Sequence, residues 1–85
     1  METYSGPTPP KYVPDEKTEA EINNWFQYHS PKDDQAGRYE LLRNAAKTLA
    51  LQIVCNVPNC ADRTAAIRKL RECIFTANAA IACNE

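Results

Sequence analysis

The stretch Trp25-Phe26-Gln27-Tyr28-His29-Ser30-Pro31-Lys32 gathers three aromatic rings, the chain's only histidine, a proline and a lysine. Rings in a proline-containing loop add little to the stability of a small protein, but they can form one wall of a pocket for a flat ligand. Arg38, Arg43 and Lys47 follow on a strongly helical segment. Aromatic faces with converging positive charge suit a stacked base and its phosphates. The candidate binding set is therefore Tyr28, His29, Pro31 and Lys32 from the loop, with Arg43 and Lys47 from the helix. Arg43 and Lys47 are four residues apart, so they point the same way and repel. They fall at the edge of an apolar stripe, beside Val54, where a cationic pair calls for an anion. Plainer readings stand beside this one. Glu40 can pair with Arg43 across one turn while Lys47 snorkels. Tyr28 and His29 can serve as ordinary cover for a helical core, and Trp25 as a staple between helices.

Other chemistries find little footing. No serine or cysteine is spaced with His29 as a nucleophile, and there is no glycine-rich phosphate loop. Carboxylates cluster only in the acidic N-terminal third. Catalysis is not expected. Cys55, Cys60, Cys73 and Cys83 lack CxxC spacing and have one histidine to join them, which disfavours a metal site. They are expected to be reduced, small apolar fillers in a cytosolic protein. The rival is a Cys55–Cys60 or inter-subunit disulfide. No cofactor is implied.

The elements that must position these residues are helices. Thr18-Glu19-Ala20-Glu21 has the form of a capping box and predicts a short helix over about 18–26. After Pro31, Asp33 or Asp34 is expected to cap a long helix running to about Asn56, where Pro58 stops it. Asp62 is expected to cap a last helix that runs almost to residue 85. Two helices of about 22 residues are each about 33 Å long. Joined by Val57-Pro58-Asn59-Cys60-Ala61, they must lie antiparallel as a helical hairpin.

Periodicity agrees. Tyr39, Leu42, Ala46, Leu49, Ala50, Ile53 and Val57 share one face of the first long helix. Ala66, Leu70, Cys73, Ile74, Ala77 and Ile81 do so on the second. Leu41, Ala45 and Leu51, and Phe75, Ala79 and Ala82, leave those stripes, and a two-helix hairpin cannot cover both sides. Exposed apolar stripes mark partner surfaces, so a homo-oligomer of hairpins is expected. The fold class is all-α: a short N-terminal helix, then the long hairpin. Arg68 and Glu72 are expected to pair at i, i+4. Asn78 and Asn84 are the uncharged polar residues of the last helix, suited either to a subunit contact or to a ligand hydrogen bond.

At 85 residues the chain is a single domain. Residues 1–17 hold Pro7, Pro9, Pro10 and Pro14 with almost no aliphatic side chains and read as a flexible acidic arm ahead of a hairpin domain at 18–85. Net charge is −1, yet residues 1–34 carry seven acids and three bases while residues 35–85 carry four acids and seven bases. The resulting excess of +3 in the C-terminal part is too small for duplex DNA, which needs a broad basic stripe. It suffices for a compact anion. The N-terminus shows no apolar run of a secretory leader, and no stretch approaches the ~18 apolar residues of a membrane span.

Certain residues also carry a family likeness. The run Tyr28-His29-Ser30-Pro31, then Gln35, then Arg38 through Ala50, then Pro58, and the segment Ala77 through Glu85, resembles the helical hairpin domain of phage anti-CBASS cyclic-nucleotide sponges, shared with an anti-Thoeris sponge family. The likeness covers roughly residues 25–85. It implies a non-enzymatic decoy, a homohexamer, that captures immune second messengers in the cytoplasm of the infected bacterial host. The messengers implied are cyclic dinucleotides such as cyclic GMP-AMP, with cyclic trinucleotides as a second class. It implies that Tyr28 stacks on a base and that Arg43, or Lys47, meets phosphate. The chain departs from the family at Cys83, where an arginine is common, and near Thr76, where a tryptophan is. The other functional reading is a helical oligomeric module that binds a host protein through its outer apolar stripe. A small single-stranded nucleic-acid binder is a third.

Overall fold

The computed structural model describes residues 11–85. It contains three helices and, among the described residues, no strand: α1 (Glu16–Trp25), α2 (Gln35–Asn56) and α3 (Ala61–Asn84). Most of the expected N-terminal arm, residues 1–10, lies outside the described part.

Each helix starts for a local reason, and two of the three starts differ from expectation. In α1 the cap is Asp15 rather than Thr18. Asp15 has extended backbone, and its carboxylate accepts from the Thr18 N–H at 2.7 Å. That bond holds the Asp15 carboxyl below its usual range. An aspartate three residues ahead of the threonine satisfies one of the free helix donors, so the helix begins earlier, and Glu16 and Glu19 place negative charge at its positive end. Asp34 does occupy the cap position of α2, but its side chain makes no capping bond. It accepts instead from Arg38 Nε at 3.2 Å. Before it, Asp33 takes φ 51°, a left-handed backbone that aspartate tolerates. In α3 the cap is Cys60, and Asp62 falls inside the first turn. There it complements the helix dipole without capping. Between α2 and α3, Val57 is extended at φ −126° and ψ 137°, as a residue ahead of proline must be, and this ends α2.

Antiparallel packing of α2 on α3 forms the hairpin, and α1 lies against α3. The interhelical seam follows the expected stripes for the most part. Tyr39, Leu42, Ala46, Ala50 and Ile53 face Ala66, Leu70, Ile74, Ala77 and Ile81 and are half-buried. Leu49, Val57 and Cys73 lie at the seam's exposed margin. No hydrophobic side chain is fully buried among the described residues, and the one buried side chain is Gln35, at 3% exposure. Leu41, Leu51 and Phe75 remain 67%, 57% and 60% exposed.

Several local expectations are corrected. Trp25, expected as a staple between α1 and the hairpin, is 55% exposed. The tie is polar: Asn24 Nδ2 donates to the Cys83 carbonyl at 2.9 Å. The cysteines are not apolar fillers within the chain, because Cys55, Cys60 and Cys73 are exposed and only Cys83 is half-buried; all four are free thiols. Arg68 and Glu72 do not pair; among the described residues the ion pairs are Lys17–Glu21, Arg38–Asp34 and Arg38–Glu85. Long flexible side chains on an exposed helix face lose rotamer freedom on pairing, and little attraction offsets that in water. Ala82 is half-buried rather than outward-facing.

Candidate ligand site

The connection from α1 to α2 carries the aromatic residues, and hydrogen bonds fix both of its ends. At the first end His29 Nε2 donates to the Asn24 carbonyl at 2.7 Å, which assigns the ring proton to Nε2. At the second, the Lys32 N–H donates to Gln35 Oε1 at 3.1 Å while the Gln35 N–H returns to the Lys32 carbonyl at 3.0 Å. Gln35 Nε2 then donates to Glu85 Oε1 at 3.1 Å, and Lys32 Nζ to the main-chain oxygen of Glu85 at 2.9 Å. The Arg38 guanidinium grips both Glu85 oxygens, with Nη1–Oε2 at 2.7 Å. This pairing, helped by Gln35, pushes the Glu85 carboxyl down to about 2 and raises Arg38 further above its usual value.

Two open grooves lie along the hairpin, and Arg43 lines both. The first, about 220 Å³, runs along the hairpin seam. Its floor is apolar, from Ala46, Ala50, Leu70 and Ile74, and its rim carries Arg43, Lys47, Arg71 and Phe75. The Arg71 guanidinium sits 5.7 Å from the Phe75 ring centre, close enough for a cation–π contact. The second groove, about 410 Å³, brings His29, Tyr39 and Arg43 of the first half of the chain against Asn78, Ala79 and Ala82 of α3. Asn78 Oδ1 is buried and accepts no hydrogen bond. Buried polar atoms are nearly always paired, and among the described residues Asn78 Oδ1 and Glu19 Oε1 are the exceptions.

The sequence-derived set divides accordingly. His29 and Arg43 meet in the second groove, and Arg43 and Lys47 in the first. Neither Arg43 nor Lys47 has an ion pair among the described residues, so the Glu40–Arg43 pairing does not form. Tyr28 is 84% exposed and lines neither groove. Pro31 is exposed and also outside them. Lys32 is exposed but partly engaged with Glu85. Arg71 and Phe75 were not singled out as ligand contacts, although their four-residue spacing places them on one helix face. Asn78, which the sequence suits either to a subunit contact or to a ligand hydrogen bond, lines the second groove. No group of three or more histidine, cysteine or acidic residues among the described residues could hold a metal. No helix among them is long and apolar enough to cross a membrane.

Residues 18–82 match the Acb2/Tad1 hairpin domain. The chain belongs to that family. No curated protein and no solved structure matches the chain. The Acb2/Tad1 family is one of sponge-type anti-defence proteins rather than enzymes, and its members hold small signalling molecules. An Acb2/Tad1 hairpin therefore directs attention to binding surfaces, and here to the two grooves that share Arg43.

Proposed function

We propose that this protein is a non-enzymatic sponge that sequesters cyclic oligonucleotide second messengers and so blocks CBASS-type immunity in the cytoplasm of an infected bacterial host. Cyclic dinucleotides such as cyclic GMP-AMP are its first ligand class and cyclic trinucleotides its second. The observation that carries this reading is the position of Arg43, a cation with no ion pair among the described residues, shared by an apolar seam groove and a more polar groove lined by His29, Tyr39 and Asn78. A phosphodiester supplies the matching anion.

Tyr28, His29, Pro31, Lys32, Arg43 and Lys47 are the proposed contacts. Because Tyr28 is exposed and lines neither groove of its own chain, its ring is assigned to a ligand shared with a neighbouring copy. A cyclic dinucleotide has approximate twofold symmetry, and an isologous interface would offer it two tyrosines and two arginines. Stacking contributes about 1–3 kcal/mol per base, and each phosphate gains a charge-assisted hydrogen bond. Assembly before binding, as a hexamer, limits the ordering cost.

Calorimetric titration against a panel of cyclic di- and trinucleotides, followed by heat release and chromatography, tests the reading. The expected result is tight binding with the ligand recovered intact. Linear product would mean a hydrolase. Silence across the panel would overturn the sponge and favour the second reading, a module that docks a host protein on the exposed Leu41, Leu51 and Phe75.

A further inference from the structure

We infer that Glu85 and Gln35 are positioning residues for the ligand-bearing loop, acting through a side-chain clasp that ties the connection between α1 and α2 to the end of α3. The inference rests on the sponge reading for the loop's role, though not for the clasp itself. Apolar packing does not hold this loop in place. Trp25, Phe26 and Tyr28 are 55%, 84% and 84% exposed. A segment with so little buried surface frays unless its polar groups anchor it.

Two anchors flank Tyr28. The first links His29 to the Asn24 carbonyl and Asn24 Nδ2 to the Cys83 carbonyl. The second links Lys32 and Gln35 to Glu85, with Arg38 closing on the Glu85 carboxylate. Both end on the same few residues of α3. Gln35 lies at the centre of the second anchor, accepting from Lys32 and donating to Glu85, and it is the one buried side chain among the described residues. The fold thus places its most enclosed side chain in a polar junction rather than in the hairpin seam. The charged groups facing Glu85 are Lys32 and Arg38, with Asp34 across the guanidinium from it. Removing the Glu85 carboxylate leaves Gln35 Nε2 buried without its acceptor and Arg38 free to swing toward Asp34. The second anchor then keeps only the Lys32–Gln35 bonds and the Lys32 Nζ bond to the Glu85 main-chain oxygen, and it loosens while the hairpin seam is untouched.

The test uses the full chain, with Glu85→Ala and the milder Glu85→Gln, which keeps an acceptor oxygen but not the charge. Amide hydrogen exchange is read without ligand, and binding is read by calorimetry with cyclic GMP-AMP. Glu85→Ala is expected to speed exchange at the Lys32 and Gln35 amides, which hydrogen bonds hold at the loop's end, and to weaken binding about tenfold, the scale of a lost charge-assisted hydrogen bond. Helix content and sedimentation should stay as in the wild type, with Glu85→Gln between the two. Unchanged loop exchange, or exchange that rises evenly along α2 and α3, would overturn the clasp. A loosened loop with unchanged affinity would overturn the positioning role. If the wild type binds no cyclic GMP-AMP but the loop still loosens, the clasp stands and the chosen ligand is wrong.

Discussion

A tyrosine ring that is 84% exposed gains little from its own chain, so Tyr28 can be truncated without disturbing the hairpin. This makes it the sharpest single-residue probe of the proposed site. Tyr28→Ala is expected to lower cyclic-dinucleotide affinity by tenfold or more, about the loss of one stacked base. Tyr28→Phe, which keeps the ring, should bind nearly as the wild type. Equal affinity for the alanine variant by calorimetry would remove Tyr28 from the site. Glu85 carries a second residue-scale consequence. Its carboxyl sits at about 2 in the fold against an ordinary 4.5 because Arg38 and Gln35 bind the ionised form. The folded protein therefore binds fewer protons than the unfolded chain between those values. The stability contributed by the clasp is complete above about 4.5 and is lost as pH falls toward 2. Melting followed by circular dichroism should show a steeper acid decline for wild type than for Glu85→Gln. Salt should shrink that difference, since the Arg38 and Glu85 side chains remain 37% and 39% exposed.

Among the elements, helix ends depend on neighbours in sequence, and so they were legible there to within a residue or two. Pro58 forces Val57 out of helical backbone, and α2 stops at Asn56 as expected. The capping residues were less legible, because an aspartate or threonine announces that a helix starts nearby without saying which of several candidates takes the bond. Asp15 outcompetes Thr18 for this reason. The clasp was not legible at all. Arg38 and Glu85 lie 47 positions apart, and nothing local to either announces the other. Similarly, Arg43 and Lys47 were legible as a cationic pair, but the helical spacing of one element could not show that Arg43 would meet Asn78 from another. Gly37 offers a test at this scale. A methyl group built there meets nothing within 4 Å, and its backbone is helical. Gly37→Ala should stabilise α2 by about 0.5 kcal/mol, largely by restricting the unfolded chain. Urea titration reads this as a higher midpoint with an unchanged slope.

Considered as a whole molecule, the hairpin encloses too little. The chain's radius of gyration is 18.3 Å, whereas a compact domain of this length would have about 12 Å. It has no fully buried hydrophobic side chain among the described residues, and Leu41 and Leu51 stand out from the seam on α2 at 67% and 57% exposure. A chain of 85 residues with four free cysteines and no metal-holding cluster among the described residues usually gains its missing core by association. Self-association is also what would bring the outlying Tyr28 of one copy to the Arg43 grooves of another. The prediction is that sedimentation velocity finds the wild type well above its 9.6 kDa chain mass, and that Leu41→Glu with Leu51→Glu drives it toward that mass. Because the two leucines lie off both grooves, any loss of cyclic-dinucleotide binding in this variant would reflect lost assembly rather than a damaged contact. A wild type that sediments as a single chain at every concentration would remove the shared-ligand geometry. Tyr28 would then need a contact within its own chain, and the exposed leucines would be left to a different protein partner.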